Sequence, residues 1–415
     1  MSSATKDVAA SGENRLSAVL QRDVLFYLVG RFLWVCASQI LNVAVGWLIY
    51  DATHSALALG MVGLAAFAPK LILSLVSGIV ADRFERRLVC GISFLVMSLV
   101  ALGLLVVASS SPVVPSTIYA LFILFGTARG FATPASQAMV ANLIPREIFS
   151  RVIGISSSTS QMATIIGPAL GGLLYVIGAW APFAVSAGAF FLASILNFLI
   201  SKKPRGNARS PVKLSDAFAG LHFIHNKPVI LGAISLDLFT VLLGGVTALL
   251  PMIASEILHL GPFGLGILRS MPAVGAMTLG LTLAYRPIER HAGFKLFVAT
   301  TTFGLATITL GLSGNLYLSL ASLWLIGASD VFSVVIRQTL VQGDTPDEMR
   351  GRVAAVNSLF IGASNELGEF ESGVTAAIFG LVPAILIGGL GTIAVSVIWA
   401  LAFPQLRRRD RLIES

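Results

Sequence analysis

Along most of this chain apolar residues do not alternate with polar ones. They run on for 20 residues or more at a time, and short polar breaks separate the runs. A bilayer core takes about 20 apolar residues per spanning helix. The runs fill nearly everything from Phe26 to Phe403 and predict helices over 24–50, 56–81, 88–109, 116–142, 152–177, 181–200, 228–254, 264–286, 293–312, 317–342, 353–379 and 382–403. Unbroken runs argue against a β-barrel, whose strands alternate lipid-facing and lumen-facing residues. The expected fold class is an all-α membrane protein of 12 transmembrane helices. The longest break, Ser201 to Pro228, begins with the linker-like stretch to Pro211; beyond it Leu214, Phe218, Leu221 and Ile224 recur at helical spacing and predict a short amphipathic helix on the inner leaflet. The chain therefore divides into a polar tail (1–23), a six-helix half (24–200), a linker (201–227), a second six-helix half (228–403) and a basic tail (404–415). The first 23 residues lack the apolar stretch and small-residue cleavage site of a signal peptide, so the first helix is expected to stay.

Composition agrees: of 415 residues 56% are hydrophobic and 12% charged, with a mean hydropathy of +0.87. The net charge of +8 would suit a nucleic-acid binder, but its placement says otherwise. Alternate breaks hold Arg83, Arg86 and Arg87; Arg146 and Arg151; Lys202, Lys203, Arg205, Arg209 and Lys213; Arg286 and Arg290; Arg350 and Arg352; and Arg407, Arg408, Arg409 and Arg411. The intervening breaks, 109–116, 178–182, 313–315 and 381–383, hold neither Lys nor Arg. By the positive-inside rule the basic side is cytoplasmic, which puts both termini inside, requires an even number of spans and makes the excess a matter of topology, not of nucleic acid; the expected location is the lipid bilayer of a bacterial inner membrane. Cys36 and Cys90 lie in apolar runs, and His54, His222, His225 and His259 form no ligand set, so no metal and no cofactor is expected. No phosphate-cradling Gly-x-x-x-x-Gly-Lys and no nucleophile with its base is present, which argues against an ATP-driven pump and against an enzyme.

The halves repeat one another. An offset of 201 residues carries Pro145, Glu147, Arg151 and Val152 onto Pro346, Glu348, Arg352 and Val353, and Gly126, Gln137, Gly167 and Gly172 onto Gly327, Gln338, Gly368 and Gly373. Duplicated halves joined by a linker are a transporter architecture, with the substrate site expected near the midplane.

Gly78-Ile-Val-Ala-Asp82-Arg83-Phe-Glu85-Arg86-Arg87 is similar to the G-x-x-x-D-R-x-G-R-[RK] signature of the major facilitator superfamily, with Glu85 in place of glycine. Arg129-Gly130 resembles that family's intramembrane arginine motif. Gly167-Pro168-Ala-Leu-Gly171-Gly172 resembles its antiporter motif, with Ala163 where the leading glycine stands. These segments and the loop from Thr345 to Val353 look most like the branch of enterobactin and drug:proton exporters. The resemblance implies two pseudo-symmetric bundles, a monomer, and a latch in which Asp82 meets the start of the eleventh helix near Gly351 and Arg352. Physically, Asp82 can accept hydrogen bonds from guanidinium groups, and three side-chain-free positions around Pro168 permit close packing and a bend.

Ionisable residues inside apolar runs are costly and face a cavity or a partner. Arg31, Lys70 and Arg129 lie in the first half; Asp237, Arg269, Asp330, Arg337, Glu366, Glu369 and Glu371 lie in the second. At about 100° per residue Arg31, Ser38 and Asn42 share a stripe expected to line the cavity, and Glu366 and Glu369 share a face that excludes Glu371. Carboxylates of this kind exchange protons near neutral pH when partly removed from water. Glu366 and Asp330, then Glu369 and Asp237, are the expected proton or substrate-cation sites, an internal salt bridge being the alternative for each. Arg129 is expected, on the resemblance, as a relay partner. The expected activity is proton-coupled export of a small amphipathic molecule, drug or siderophore. Uptake symport and a non-transporting sensor or scaffold are the rivals.

Overall fold

The structure, a computed structural model, describes residues 22–143, 149–201, 214–288 and 290–412. Its helices are α1 (Arg22–Thr53), α2 (Ala56–Ile72), α3 (Ser74–Arg83), α4 (Arg86–Ala108), α5 (Pro115–Leu143), α6 (Phe149–Ile177), α7 (Ala181–Phe198), α8 (Leu214–His225), α9 (Pro228–Leu243), α10 (Pro262–Tyr285), α11 (Ala292–Leu312), α12 (Leu316–Gly343), α13 (Asp347–Phe379), α14 (Leu381–Ala402) and α15 (Pro404–Arg407). Among the described residues ten helices are long and apolar enough to cross a membrane, and the bent pair α2 and α3 supplies an eleventh span. The twelfth expected span is α13, whose 33 residues exceed the length needed but include Glu366, Glu369 and Glu371. The tail before Arg22, the linker from Lys202 to Lys213, and Pro145, Arg146 and Glu147 of the repeat lie outside the described residues.

Two spans are interrupted where continuous helices were expected. The second breaks after Ile72, three residues past Pro69, with Leu73 N still donating to Pro69 O (2.9 Å). The seventh stops at Gly244-Gly245 and continues through a 3₁₀ turn (Val246–Leu249), Leu250–Met252 and a π turn (Ile253–Ile257). The backbone approaches closely at this break: a Cβ built on Gly245 would overlap the carbonyl of Gly368 on α13. Only a residue without a side chain fits there.

The chain falls into two compact units, Met1–Asn42 with Ala68–Pro211, and Val43–Phe67 with Val212–Ser415. Inside the first, α4 packs on α5 and α7 around Phe94, Phe125, Phe183 and Phe190, all buried. Ser98 Oγ and Ser194 Oγ donate across α4 and α7 to the carbonyls of Ala187 (2.8 Å) and Gly91 (2.7 Å). In the second, α10 packs on α12 and α11 on α14. There Gly275 and Gly327 admit the facing backbone, since a Cβ on either would overlap the carbonyl of Trp324 or of Pro272, the small-residue packing by which membrane helices associate. The predicted amphipathic helix is α8, but its buried Ile224 joins Ile230, Ile234, Val341, Val353 and Val356, and Gly220 abuts the backbone of Arg352. Ile224 thus packs on protein, while Leu221 of the same expected face is exposed.

Candidate functional site

Each unit holds its own polar centre. In the first, Arg31 of α1 is half-buried and spends its fork on hydroxyls: Nε donates to Ser160 Oγ (2.7 Å), and Nη1 to the Tyr27 hydroxyl (3.2 Å) and Ser136 Oγ (3.5 Å). The expected α1 stripe is only partly polar in effect. Ser38 is buried and donates to Trp34 O on its own helix (2.8 Å), and Asn42 donates to Gln39 Oε1 (3.5 Å). Arg129 is half-buried on α5, and the adjacent Gly130 lets the Lys70 backbone approach to 3.4 Å of its Cβ position. On α6, Gly167, Pro168, Gly171 and Gly172 are all buried, and a Cβ on Gly167 would meet Gln39 Cβ at 2.6 Å. The first unit thus presents Arg31 among hydroxyls.

The signature segment after α2 is a local network. Arg86 is buried, donates to Ala81 O (3.2 Å) and Ala138 O (2.9 Å), and pairs with Asp82 at 3.6 Å. Glu85, where the signature has glycine, pairs with Arg87 at 3.1 Å, and Arg87 also donates to Ile200 O (2.7 Å). Gly78 has open space at its Cβ, and Arg83 is exposed. Arg352, in the second unit, is exposed with Nη1 3.7 Å from Met349 Sδ.

The second unit contains the deepest charges. Arg337 of α12 and Asp237 of α9, with side chains 1% and 7% exposed, form an ion pair at 3.2 Å. Arg337 Nη1 also donates to Asn357 Oδ1 of α13 (2.8 Å), while its buried Nε–H has no acceptor among the described residues. Asp330 stands two turns before Arg337 on the same helix face and feels the charge of both Arg337 and Asp237. Arg337 thus pairs with Asp237 and lies within electrostatic reach of Asp330. Sequence reasoning named Asp237, Asp330 and the charge of Arg337, but did not join them or find Asn357. The seven-residue spacing of Asp330 and Arg337 was the available signal.

A second acidic locus surrounds Glu369. Its Oε1 accepts from Thr247 (3.3 Å), just past the Gly244-Gly245 break; its Oε2 lies 3.2 Å from the Cβ position of Gly63; and Arg269 feels its charge. Glu366 is half-buried one turn earlier, and Glu371 instead accepts from Thr375 of its own helix (2.7 Å). Farther along, the buried Tyr50 donates its hydroxyl to Glu256 in the π turn, a contact not expected from the sequence. Among the described residues no group of His, Cys, Asp and Glu could hold a metal.

The model of the Major Facilitator Superfamily matches residues 27–369. The chain belongs to that family. It is 28% identical over 394 residues to the enterobactin exporter EntS of Citrobacter koseri, spanning 92% of this chain and 91% of that one. It is 24% identical over 391 residues to the staphyloferrin A transporter of Staphylococcus aureus, spanning 90% and 94%. Among solved structures the nucleoside transporter NupG superposes with a TM-score of 0.71 at 14% identity, over 94% of this chain and 100% of that one. A bacterial homologue of the human lysosomal transporter Spinster gives 0.70 at 15%, over 94% and 96%. The protein is accordingly a multi-pass membrane transporter of small molecules, not an enzyme, with the all-helical fold of this superfamily.

Proposed function

We propose that this transporter is a proton-coupled exporter of an anionic, siderophore-like small molecule in a bacterial inner membrane, working by alternating access with both termini cytoplasmic. The observation that carries the coupling is the trio Asp237, Arg337 and Asp330: two carboxylates against one cation deep in membrane helices. One proton brings this trio to neutrality, and its loss leaves a single negative charge. A group that gains and loses one proton in this way is what ion coupling requires. Glu369 and Glu366 offer a second carriage site. Arg31, with its ring of hydroxyls, and Arg129 suit a substrate bearing carboxylate or catecholate oxygens, because guanidinium forks match paired oxygens. Gly167, Pro168, Gly171 and Gly172 of α6, and the Gly78–Arg87 segment, are assigned to gating. Similarity to an enterobactin exporter and to a staphyloferrin A transporter supports the substrate class, and the first of these supports the direction.

The test is proton movement in proteoliposomes carrying an internal pH dye, challenged with catecholate and hydroxycarboxylate siderophores and with lipophilic cations. Wild type is expected to move protons against a siderophore gradient, and Asp330→Asn to abolish this while remaining folded. Proton movement unchanged in both Asp330→Asn and Glu366→Gln would overturn the coupling site. A response to lipophilic cations alone would overturn the substrate class, and protons moving with the substrate would make the protein an uptake symporter.

A further inference from the structure

Topology explains the run of arginines after the last span only as a count of charges. The structure gives the segment that carries them a place. Leu406 is fully buried beside Ala292, Leu296 and Leu340. The backbone N–H groups of Ala292 and Gly293, at the start of α11, donate to the carbonyls of Asp410 (3.0 Å) and Arg409 (2.9 Å), and that of His291 donates to Asp410 Oδ1 (2.9 Å). Asp410 thereby caps α11, whose first N–H groups have no helical partner. Arg409 reaches Asp344, beyond the end of α12, at 2.7 Å. The segment 404–410 is thus a fixed part of the second unit.

These contacts use up Arg409 and Asp410 but not their neighbours. Arg408 and Arg411 are exposed, and neither side chain has a hydrogen bond or ion pair among the described residues. With Gln405, Arg409, Asp410 and Val229 they line an open cavity of about 510 Å³. On its membrane side Phe403 packs on Trp399 (6.2 Å between ring centres) and Trp399 on Phe239 (5.1 Å), with Trp399 Nε1 donating to Ser235 (2.9 Å). Aromatic residues of this amphipathic kind collect at the headgroup level. Around Trp399, Val397, Ile398 and Leu401 of α14 expose apolar surface for acyl chains.

We propose that this cavity binds the phosphodiester headgroup of an anionic phospholipid, with Arg408 and Arg411 as its charge-assisted donors. A guanidinium fork takes two phosphate oxygens at once. A zwitterionic headgroup brings its own cation against the same arginines and gains less. Each basic residue near an anionic surface strengthens binding about fivefold, so loss of both weakens it about thirtyfold.

The test is a titration of the delipidated full chain with phosphatidylglycerol, phosphatidylcholine or inorganic phosphate, followed by native mass spectrometry. One phosphatidylglycerol is expected to bind at concentrations where phosphatidylcholine does not, to weaken about thirtyfold in Arg408→Gln/Arg411→Gln, and to be kept only in part in Arg408→Lys/Arg411→Lys, which holds the charge without the fork. Thermal melts without lipid should coincide for all three proteins, because neither side chain holds the fold. Equal binding by the glutamine variant, or equal binding of phosphatidylcholine, overturns the proposal. Displacement of the lipid by equimolar inorganic phosphate reassigns the cavity to a soluble anion and overturns it as well.

Discussion

Arg337→Met removes the one cation that, among the described residues, stands against both Asp237 and Asp330. Breaking a buried pair from one side leaves an uncompensated charge and costs about 3–5 kcal/mol. Asn357 Oδ1 loses its donor too, which adds about 1 kcal/mol. Replacing both members by apolar residues of similar volume removes the orphaned Asp237 and leaves only Asp330, which the single variant leaves as well, so Asp237→Leu/Arg337→Met should be more stable than Arg337→Met despite carrying one more substitution. The signature is non-additivity: the double variant is more stable than the arginine single variant. Thermal unfolding in a mild detergent, followed by loss of monodisperse protein, supplies the ordering of wild type, double variant and single variant. A double variant as damaged as the two single losses combined would refute the argument, because it would mean that the two groups do not stabilise one another across their 3.2 Å contact.

Gly245→Ala should destabilise the second unit by about 1–3 kcal/mol or more, since its Cβ overlaps backbone atoms of Gly368, whereas Gly78→Ala, with nothing within 4 Å, should melt as wild type; equal melts would remove the close backbone approach at the broken seventh span. Tyr50→Phe should cost about 1 kcal/mol through its lost bond to the exposed Glu256 carboxylate, and Tyr50→Phe/Glu256→Gln should lose no more than the larger single effect; additive losses in a melting cycle would show that the bond does not form. Arg31→Gln should raise the KM for an anionic substrate at least about tenfold with folding intact, and Arg31→Lys should restore only part of it, because an ammonium keeps the charge without the fork that engages Ser160 and Tyr27; an unchanged KM in transport assays would remove Arg31 from substrate binding.

What sequence reasoning could reach follows from what is local. Apolar run length located ten of the expected spans and, with the bent pair, an eleventh, while α13, with its three glutamates, is not apolar enough to count among them. It did not foresee the interruption at Gly244-Gly245, although the paired glycines are visible. Glycine is frequent in membrane helices, and nothing in the sequence says that Gly368, far along the chain, presses on this one. Helical periodicity placed Arg31, Ser38 and Asn42 on one stripe, yet periodicity cannot say where a hydroxyl turns; Ser38 spends its own on the preceding turn. It likewise could not show that Val43–Phe67, an early stretch of chain, belongs to the same compact unit as the second half. The ion pair of Asp237 and Arg337 joins residues too distant in sequence for any local rule, while the placement of Asp330 two turns from Arg337 was open to one.

The charges of the second unit are better understood as a count than as a set of contacts. A membrane bundle gains nothing in stability from a buried guanidinium and carboxylate that well-packed leucine and methionine could replace, so fold alone gives no reason to keep the pair. Still less does it give a reason for Asp330, which adds a second carboxylate where one cation is already committed. The arrangement is balanced only when one more positive charge is present, and the smallest mobile one is a proton. In the first unit Arg31 is met by neutral hydroxyls, so its charge stays available to an anion. Had both units held matched pairs, a static ion-pair scaffold would account for them. The mismatch has opposite sign in each, negative around Asp330 and positive around Arg31, and that opposition is why proton coupling is assigned to the second unit and recognition of an acidic substrate to the first.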